Sequence, residues 1–148
     1  MMKKKVLIVV VILILFGFWL FRTQTLMDIA KPDRETAHIG SVVVMEEYGN
    51  RRAEFENKET IEALFEMLEN TEVRFDGWWI NTIRTDGGEL LYHLRFYHEE
   101  WLPSSRMLFF CTNGQVYYDH SIYKLQGEDM QKCTDTLERI LQEYEVIE

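Results

Sequence analysis

The sequence has few of the residues that build cross-linked or repetitive structures. Its 148 residues include two cysteines, two prolines and eight glycines. So few cysteines exclude a disulfide-dense miniprotein, and the overall composition excludes collagen and a disordered tail. Basic charge is also scarce, since 16 Lys and Arg stand against 25 Asp and Glu, for a net charge of -9. This deficit argues against a nucleic-acid-binding protein, which needs a basic face.

The familiar catalytic and ligand-binding motifs are missing from the sequence. There is no G-x-S-x-G, no S-x-x-K, no glycine-rich phosphate loop and no calcium loop of the D-x-D-x-D-G type. The four histidines do not have the spacing of a zinc site. We therefore expect a protein that is not an enzyme and that needs no cofactor.

Long hydrophobic runs are also rare, and the one that is present lies at the amino terminus. Residues 6–21 are all hydrophobic except Gly17, with three lysines before the run and Arg22 after it. Cations in front of such a run predict a single transmembrane helix with its amino terminus in the cytoplasm. Two alternatives are a cleaved signal peptide and a helix buried in a soluble protein.

This interpretation divides the chain into four parts. Residues 1–5 are a cytoplasmic tail, 6–22 a transmembrane anchor in the cell membrane, 23–37 a stalk and 38–148 an extracytoplasmic domain. Removing Lys3, Lys4, Lys5 and Arg22 from the total charge leaves -13 for residues 23–148. A field of this sign favours solubility or a basic protein or peptide as a partner.

Turn signals between β-rich segments predict three hairpins in the domain. Residues 41–45 and 51–55 flank a turn at 48–50, and 106–112 and 115–119 flank Asn113-Gly114. In the middle hairpin, residues 78–85 and 89–98 flank Asp86-Gly87-Gly88.

Two helices are predicted from apolar residues that recur with helical spacing. The first covers residues 57–70, and the second covers residues 128–144. Their apolar stripes are Ile61, Leu64, Phe65 and Leu68, and Met130, Cys133, Leu137, Ile140, Leu141 and Tyr144. The order ββ-α-ββ-ββ-α predicts an α+β fold, an antiparallel sheet with both helices packed on one face.

Tryptophan and histidine supply the candidate functional residues. An exposed tryptophan on a sheet can anchor a partner, so Trp78, Trp79 and Trp101 are the candidate interaction surface. The alternative is a metal-binding or hydrolytic domain that uses His93, His98 or His120, since the last two lie beside carboxylates in the sequence. Cys111 and Cys133 are either a disulfide or two buried thiols.

The plan of the chain resembles a group of small bacterial proteins. The chain resembles membrane-anchored proteins of Gram-positive bacteria in four features. These are lysine-rich residues 1–5, one apolar run, a valine-rich hairpin and the sequence of residues 58–68. In those proteins the anchor precedes one extracytoplasmic α+β domain of unknown function, and the resemblance implies no catalytic residues. We therefore expect a membrane-anchored domain that binds a protein, peptide or envelope component in an accessory or immunity-type role.

Overall fold

A computed structural model describes residues 2–46, 49–78, 90–99, 101–103 and 106–145 of the chain. These residues form four helices and eight strands. The helices are α1 (Met2–Leu20), α2 (Leu26–Ala30), α3 (Lys58–Asn70) and α4 (Gly127–Tyr144). The strands are β1 (Gln24–Thr25), β2 (Ile39–Glu46), β3 (Gly49–Phe55), β4 (Glu72–Trp78), β5 (Leu91–Tyr97), β6 (Leu108–Cys111), β7 (Gln115–Tyr118) and β8 (Ser121–Lys124).

All eight strands belong to one antiparallel sheet, in the order β1-β4-β8-β7-β6-β5-β2-β3. The α+β class is therefore confirmed. Two of the predicted hairpins are present as β2–β3 and β6–β7. In the middle hairpin, residues 79–85 of the predicted strand 78–85 and the turn at 86–88 lie outside the described residues. β4 and β8 were not predicted as separate strands, and they pair with each other.

The hydrophobic core lies between one face of the sheet and the helices. In β2 and β5, Val42 pairs with Leu94 and Val44 pairs with Tyr92, and all four side chains are buried. The Phe65 ring of α3 lies 4.8 Å from the Phe96 ring of β5. The apolar stripe of α4 joins the same core cluster. Both long helices of the domain thus pack on one face of the sheet, as their periodicity predicts.

The predicted transmembrane helix is wrong, because no helix among the described residues is both long enough and apolar enough to cross a membrane. α1 has 19 residues, but Met2, Lys3, Lys4 and Lys5 occupy its first turn. The remaining 15 residues of α1 extend about 22 Å at ~1.5 Å per residue, short of a hydrocarbon core of ~30 Å. The cytoplasmic tail and the extracytoplasmic position of the domain rested on that crossing, and they stay predictions.

The segment predicted as a stalk, residues 23–37, contains β1 and α2. α2 begins with a capping box, in which the Thr25 N–H donates to Asp28 Oδ2 at 2.9 Å and the Asp28 N–H donates to Thr25 Oγ1 at 3.2 Å. Leu26 is fully buried in the core of the domain. Residues 24–30 therefore pack against the domain.

Candidate functional site

Three large apolar side chains of the domain are exposed at one end of the sheet. Three strands separate β4 from β5 in the antiparallel order, so β4 and β5 run in the same direction. Trp78 ends β4, and Trp101 and Leu102 follow β5; their exposed fractions are 64%, 43% and 58%. We call this the Trp78 end of the sheet. Met45 is 46% exposed, but it pairs with Leu91 at the start of β5, at the opposite end.

Trp101 belongs to a compact group at the Trp78 end, which we call the Trp101 cluster: Arg95, Tyr97, Trp101 and Leu102. The ring centroids of Tyr97 and Trp101 are 5.3 Å apart, and the Arg95 guanidinium lies 5.6 Å from the Tyr97 centroid. Backbone hydrogen bonds close the loop, since the Trp101 N–H donates to the His98 carbonyl at 3.0 Å and the His98 N–H to the Leu102 carbonyl at 2.7 Å. The loop therefore holds Trp101 against Tyr97 and directs Leu102 outward.

The backbone of Trp101 adopts a left-handed conformation, with φ at 58°. This region is disfavoured for residues with a Cβ atom, and a bulky aromatic residue is a rare occupant. Residues held this way cost of order 1–3 kcal/mol, and they concentrate at active and ligand-binding sites. Glycine or asparagine would fit the turn with less strain. A tryptophan at this position therefore points to a function for the ring.

Trp78 belongs to a second aromatic group, which we call the Trp78 cluster: Phe21, Phe75, Trp78 and Tyr123. The register of β4 against β8 shifts between Phe75 and Gly77, where Gly77 has φ of 150°. This irregularity puts Phe75 and Trp78 on the same face, with their ring centroids 4.8 Å apart. The Phe75 ring also contacts Phe21 at 6.0 Å and Tyr123 at 6.1 Å.

Two of the three tryptophans predicted to form an interaction surface thus lie at one end of the sheet, in separate groups. Four inter-strand spacings, roughly 19 Å at ~4.8 Å each, separate the strands that carry them. Trp79 lies outside the described residues.

The histidines of the alternative hypothesis lie on separate elements of the fold. His93 is in the middle of β5, with its ring 4.5 Å from Phe109, whereas His98 follows β5 and His120 lies between β7 and β8. Burial lowers the pKa of His93, whose Nε2 has no hydrogen-bond partner among the described residues. His93, His98 and His120 therefore do not form one catalytic group.

One cavity does bring two imidazoles near a carboxylate. His38, His98, Glu99 and Leu102 line a space of about 350 Å³ beside the Trp101 cluster. In the part of the chain that the structure describes, no group of three or more His, Cys, Asp or Glu side chains is placed to hold a metal ion. Three of the four side chains that line the cavity are polar, and Leu102 is the apolar one.

Cys111 and Cys133 are both buried thiols, and they do not form a disulfide. Cys111 pairs with Leu91 and packs with Leu91 and Tyr117 on the sheet face opposite the long helices. Cys133 lies on α4 in the core cluster on the other face, with its Sγ 3.5 Å from Thr71 Oγ1. The sheet separates the two sulfur atoms, which explains the absence of the bond.

A polar network between β3, β5 and α4 could not be found from the sequence. Arg51 Nη1 and Nη2 donate to the two carboxylate oxygens of Glu138 at 2.5 and 3.1 Å, and Arg51 Nε donates to Glu46 at 2.6 Å. The Tyr92 hydroxyl donates to Glu138 Oε2 at 3.0 Å. Burial and the adjacent Glu138 carboxylate raise the pKa of Tyr92 to about 12. The phenol therefore stays protonated at neutral pH and keeps its hydrogen bond to Glu138. The network thus joins α4 to the sheet.

Comparison with known proteins does not assign this arrangement to a family. No protein-family model matches the chain, and neither a curated protein nor a solved structure gives a significant match.

Proposed function

We propose that the protein is a membrane-attached, non-catalytic domain that binds a protein or peptide through the Trp101 cluster. The observation that carries this proposal is the strained, exposed Trp101 packed against Tyr97, with Leu102 exposed beside it. Tryptophan side chains of this kind are frequent hot spots of protein interfaces. An accessory or immunity-type role near an envelope surface is consistent with such a domain.

The chemistry of the Trp101 cluster favours a partner with an apolar side chain. Trp101 and Leu102 offer adjoining apolar surface. Leu102 also lines the cavity, together with His38, His98 and Glu99. Burial of this apolar surface against a partner contributes roughly 25 cal/mol per Å² to the free energy of binding, before the costs of association are subtracted. The charge of -13 on residues 23–148 adds a long-range attraction for a basic partner, because opposite charge accelerates encounter.

Attachment to a membrane is supported by the surface of α1. The large apolar side chains of this helix are exposed all round, from Val6 to Trp19, with exposed fractions of 43–75%. A helix that is apolar on every side is stable only where its surface is covered. Lipid acyl chains supply such cover without a crossing of the bilayer, so we propose that α1 is the element that holds the protein to lipid.

The test of partner binding compares two variants of the Trp101 cluster with one matched control. The full chain, Trp101→Gly, Leu102→Ser and Met45→Ser are purified in detergent from the native membrane, and the retained proteins are quantified by mass spectrometry. Met45 is exposed to a similar extent but lies at the other end of the sheet. We expect a retained protein that the control keeps and that both cluster variants lose.

Two results would contradict the proposal. Equal retention by all four chains would mean that the Trp101 cluster does not form the binding surface. Loss from Met45→Ser as well would mean that retention does not depend specifically on the Trp101 cluster. Circular dichroism of each variant checks that a lost partner does not reflect loss of the fold.

A further inference from the structure

We propose that the Trp78 cluster lies in the headgroup region of a zwitterionic phospholipid bilayer and holds the Trp78 end of the sheet against the lipid surface. The inference rests on the proposed attachment of α1 to lipid. It adds an orientation of the domain and a role for Trp78 that is separate from the Trp101 cluster.

The path of the chain brings the Trp78 end toward the lipid that α1 contacts. β1 runs antiparallel to β4, with Thr25 opposite Glu72 and Gln24 opposite Val73. From Thr25 backward, the chain therefore runs along β4 toward Trp78 and reaches Phe21, whose ring contacts Phe75. α1 ends at Leu20, directly before this contact. Lipid around the last turn of α1 therefore adjoins the Trp78 end.

The residues at this junction have the chemistry of a lipid–water interface. Phe21 is 62% exposed and Trp19 is 56% exposed, and both adjoin the apolar run of α1. The Arg22 guanidinium lies 5.6 Å from the Trp19 ring centroid, where it can contact a lipid phosphate. Tryptophan is enriched at membrane interfaces, because its ring is apolar and its indole N–H donates a hydrogen bond. Trp78 extends this group of interfacial side chains from α1 onto the sheet.

The packing of Trp78 also favours lipid over solvent. One side of its ring lies against Phe75, which is buried, while 64% of the side chain is exposed. An exposed tryptophan on a buried aromatic support resists tilting, so the ring can enter a headgroup layer without reorganisation of the sheet. The acidic domain is repelled by anionic headgroups, so a zwitterionic surface is the one that it approaches.

Tryptophan fluorescence in vesicles tests the position of Trp78 directly. Full-length chains that keep a single tryptophan, Trp19 or Trp78, have the other three replaced by phenylalanine. A third chain carries Met45→Trp with all four native tryptophans replaced. Each chain is reconstituted in phosphatidylcholine vesicles with or without bromine on acyl carbons close to the headgroup. We expect bromine to quench the emission of Trp19 and of Trp78, and to leave the residue 45 signal unchanged.

The outcomes separate this inference from the proposed attachment. Quenching of Trp19, with Trp78 no more quenched than residue 45, would overturn the inference and leave the attachment of α1 intact. No quenching at Trp19 would overturn the attachment and the inference together. Should the single-tryptophan chains not fold, the native chain and Trp78→Phe are compared. We then expect bromine to quench a smaller part of the emission in Trp78→Phe than in the native chain. Equal quenching in the two chains would contradict the inference.

Discussion

Arg51 and Glu138 are 87 positions apart in the chain, and their side chains form a two-point hydrogen-bonded ion pair. Arg51 lies on β3 at the edge of the sheet, and Glu138 lies in the middle of α4. Each side chain is 29% exposed, so water screens the pair only in part. A fork-shaped guanidinium fixes the carboxylate in direction as well as in distance. The pair therefore sets how α4 lies across β3.

Removal of the Glu138 carboxylate is predicted to destabilise the fold. Glu138→Ala leaves the Arg51 guanidinium and the Tyr92 hydroxyl without their partner in a half-buried place. We expect the free energy of unfolding to fall by about 2 kcal/mol, measured by urea denaturation of the full chain in detergent. Glu143→Ala, on the exposed side of α4, is the control and is expected to change it by less than about 0.5 kcal/mol. Equal effects of the two variants would show that the pair is unimportant for stability.

The Arg51–Glu138 pair also predicts that the stability of the fold depends on pH. The hydrogen bonds from Arg51 are the main cause that holds the pKa of Glu138 below its ordinary value in the folded state, against a smaller opposing effect of burial. A lowered folded pKa means stability that is present above the pKa of the unfolded chain, ~4.3, and is lost as the pH falls through the folded pKa. Glu138→Gln should therefore flatten the decline of the urea midpoint below about pH 4.3. An unchanged decline would contradict this prediction.

Gly40 is predicted to be intolerant of any side chain. It pairs with Phe55 across β2 and β3, and a Cβ atom at residue 40 would overlap the Phe55 ring. Phe55 is buried, with its ring centroid 5.4 Å from that of Tyr144, so it cannot move freely. We expect Gly40→Ala to lower the free energy of unfolding by about 2 kcal/mol. Gly127→Ala is the matched control, because a Cβ there meets no atom of the described residues within 4 Å. A comparable loss in both variants would refute the overlap.

The two cysteines are predicted to be thiols that react only after unfolding. Both are almost fully buried, and burial raises the pKa of the Cys133 thiol. In the folded chain a thiol reagent should react slowly, because the nucleophile is the exposed thiolate. After unfolding in denaturant without reductant, two thiols per chain should react at once. If no thiol reacts until a reductant is added, a disulfide is present and the separation of the sulfur atoms by the sheet is wrong.

The parts of the fold that the sequence predicts are those with a clear repeat. The apolar stripes of α3 and α4 extend over 13 and 18 residues, long enough for the helical period to specify the buried face. β1 and α2 have two and five residues, too few for a period to emerge. Strand alternation does not predict which face Trp78 occupies, because the register shift beside Gly77 interrupts it. The left-handed Trp101 and the Arg51–Glu138 pair depend on distant parts of the chain, so no local pattern signals them.

The conformation of Trp101 predicts that glycine there is more stable than alanine. Trp101→Ala and Trp101→Gly both remove the ring that packs against Tyr97, so both lose the same ring contact. Only glycine also relieves the left-handed backbone with φ at 58°. The gain on relief is about 1 kcal/mol, which exceeds the small entropic cost of glycine in the unfolded chain.

Thermal and urea unfolding of the two variants, measured side by side, test this prediction. We expect Trp101→Gly to be the more stable by about 1 kcal/mol, although both variants lose the partner that the Trp101 cluster binds. Such a result would mean that the tryptophan is retained for binding at a cost in stability, as strained residues at functional sites are. If alanine is instead the more stable variant, the backbone of residue 101 is not strained and the main support for the binding role of the cluster is lost.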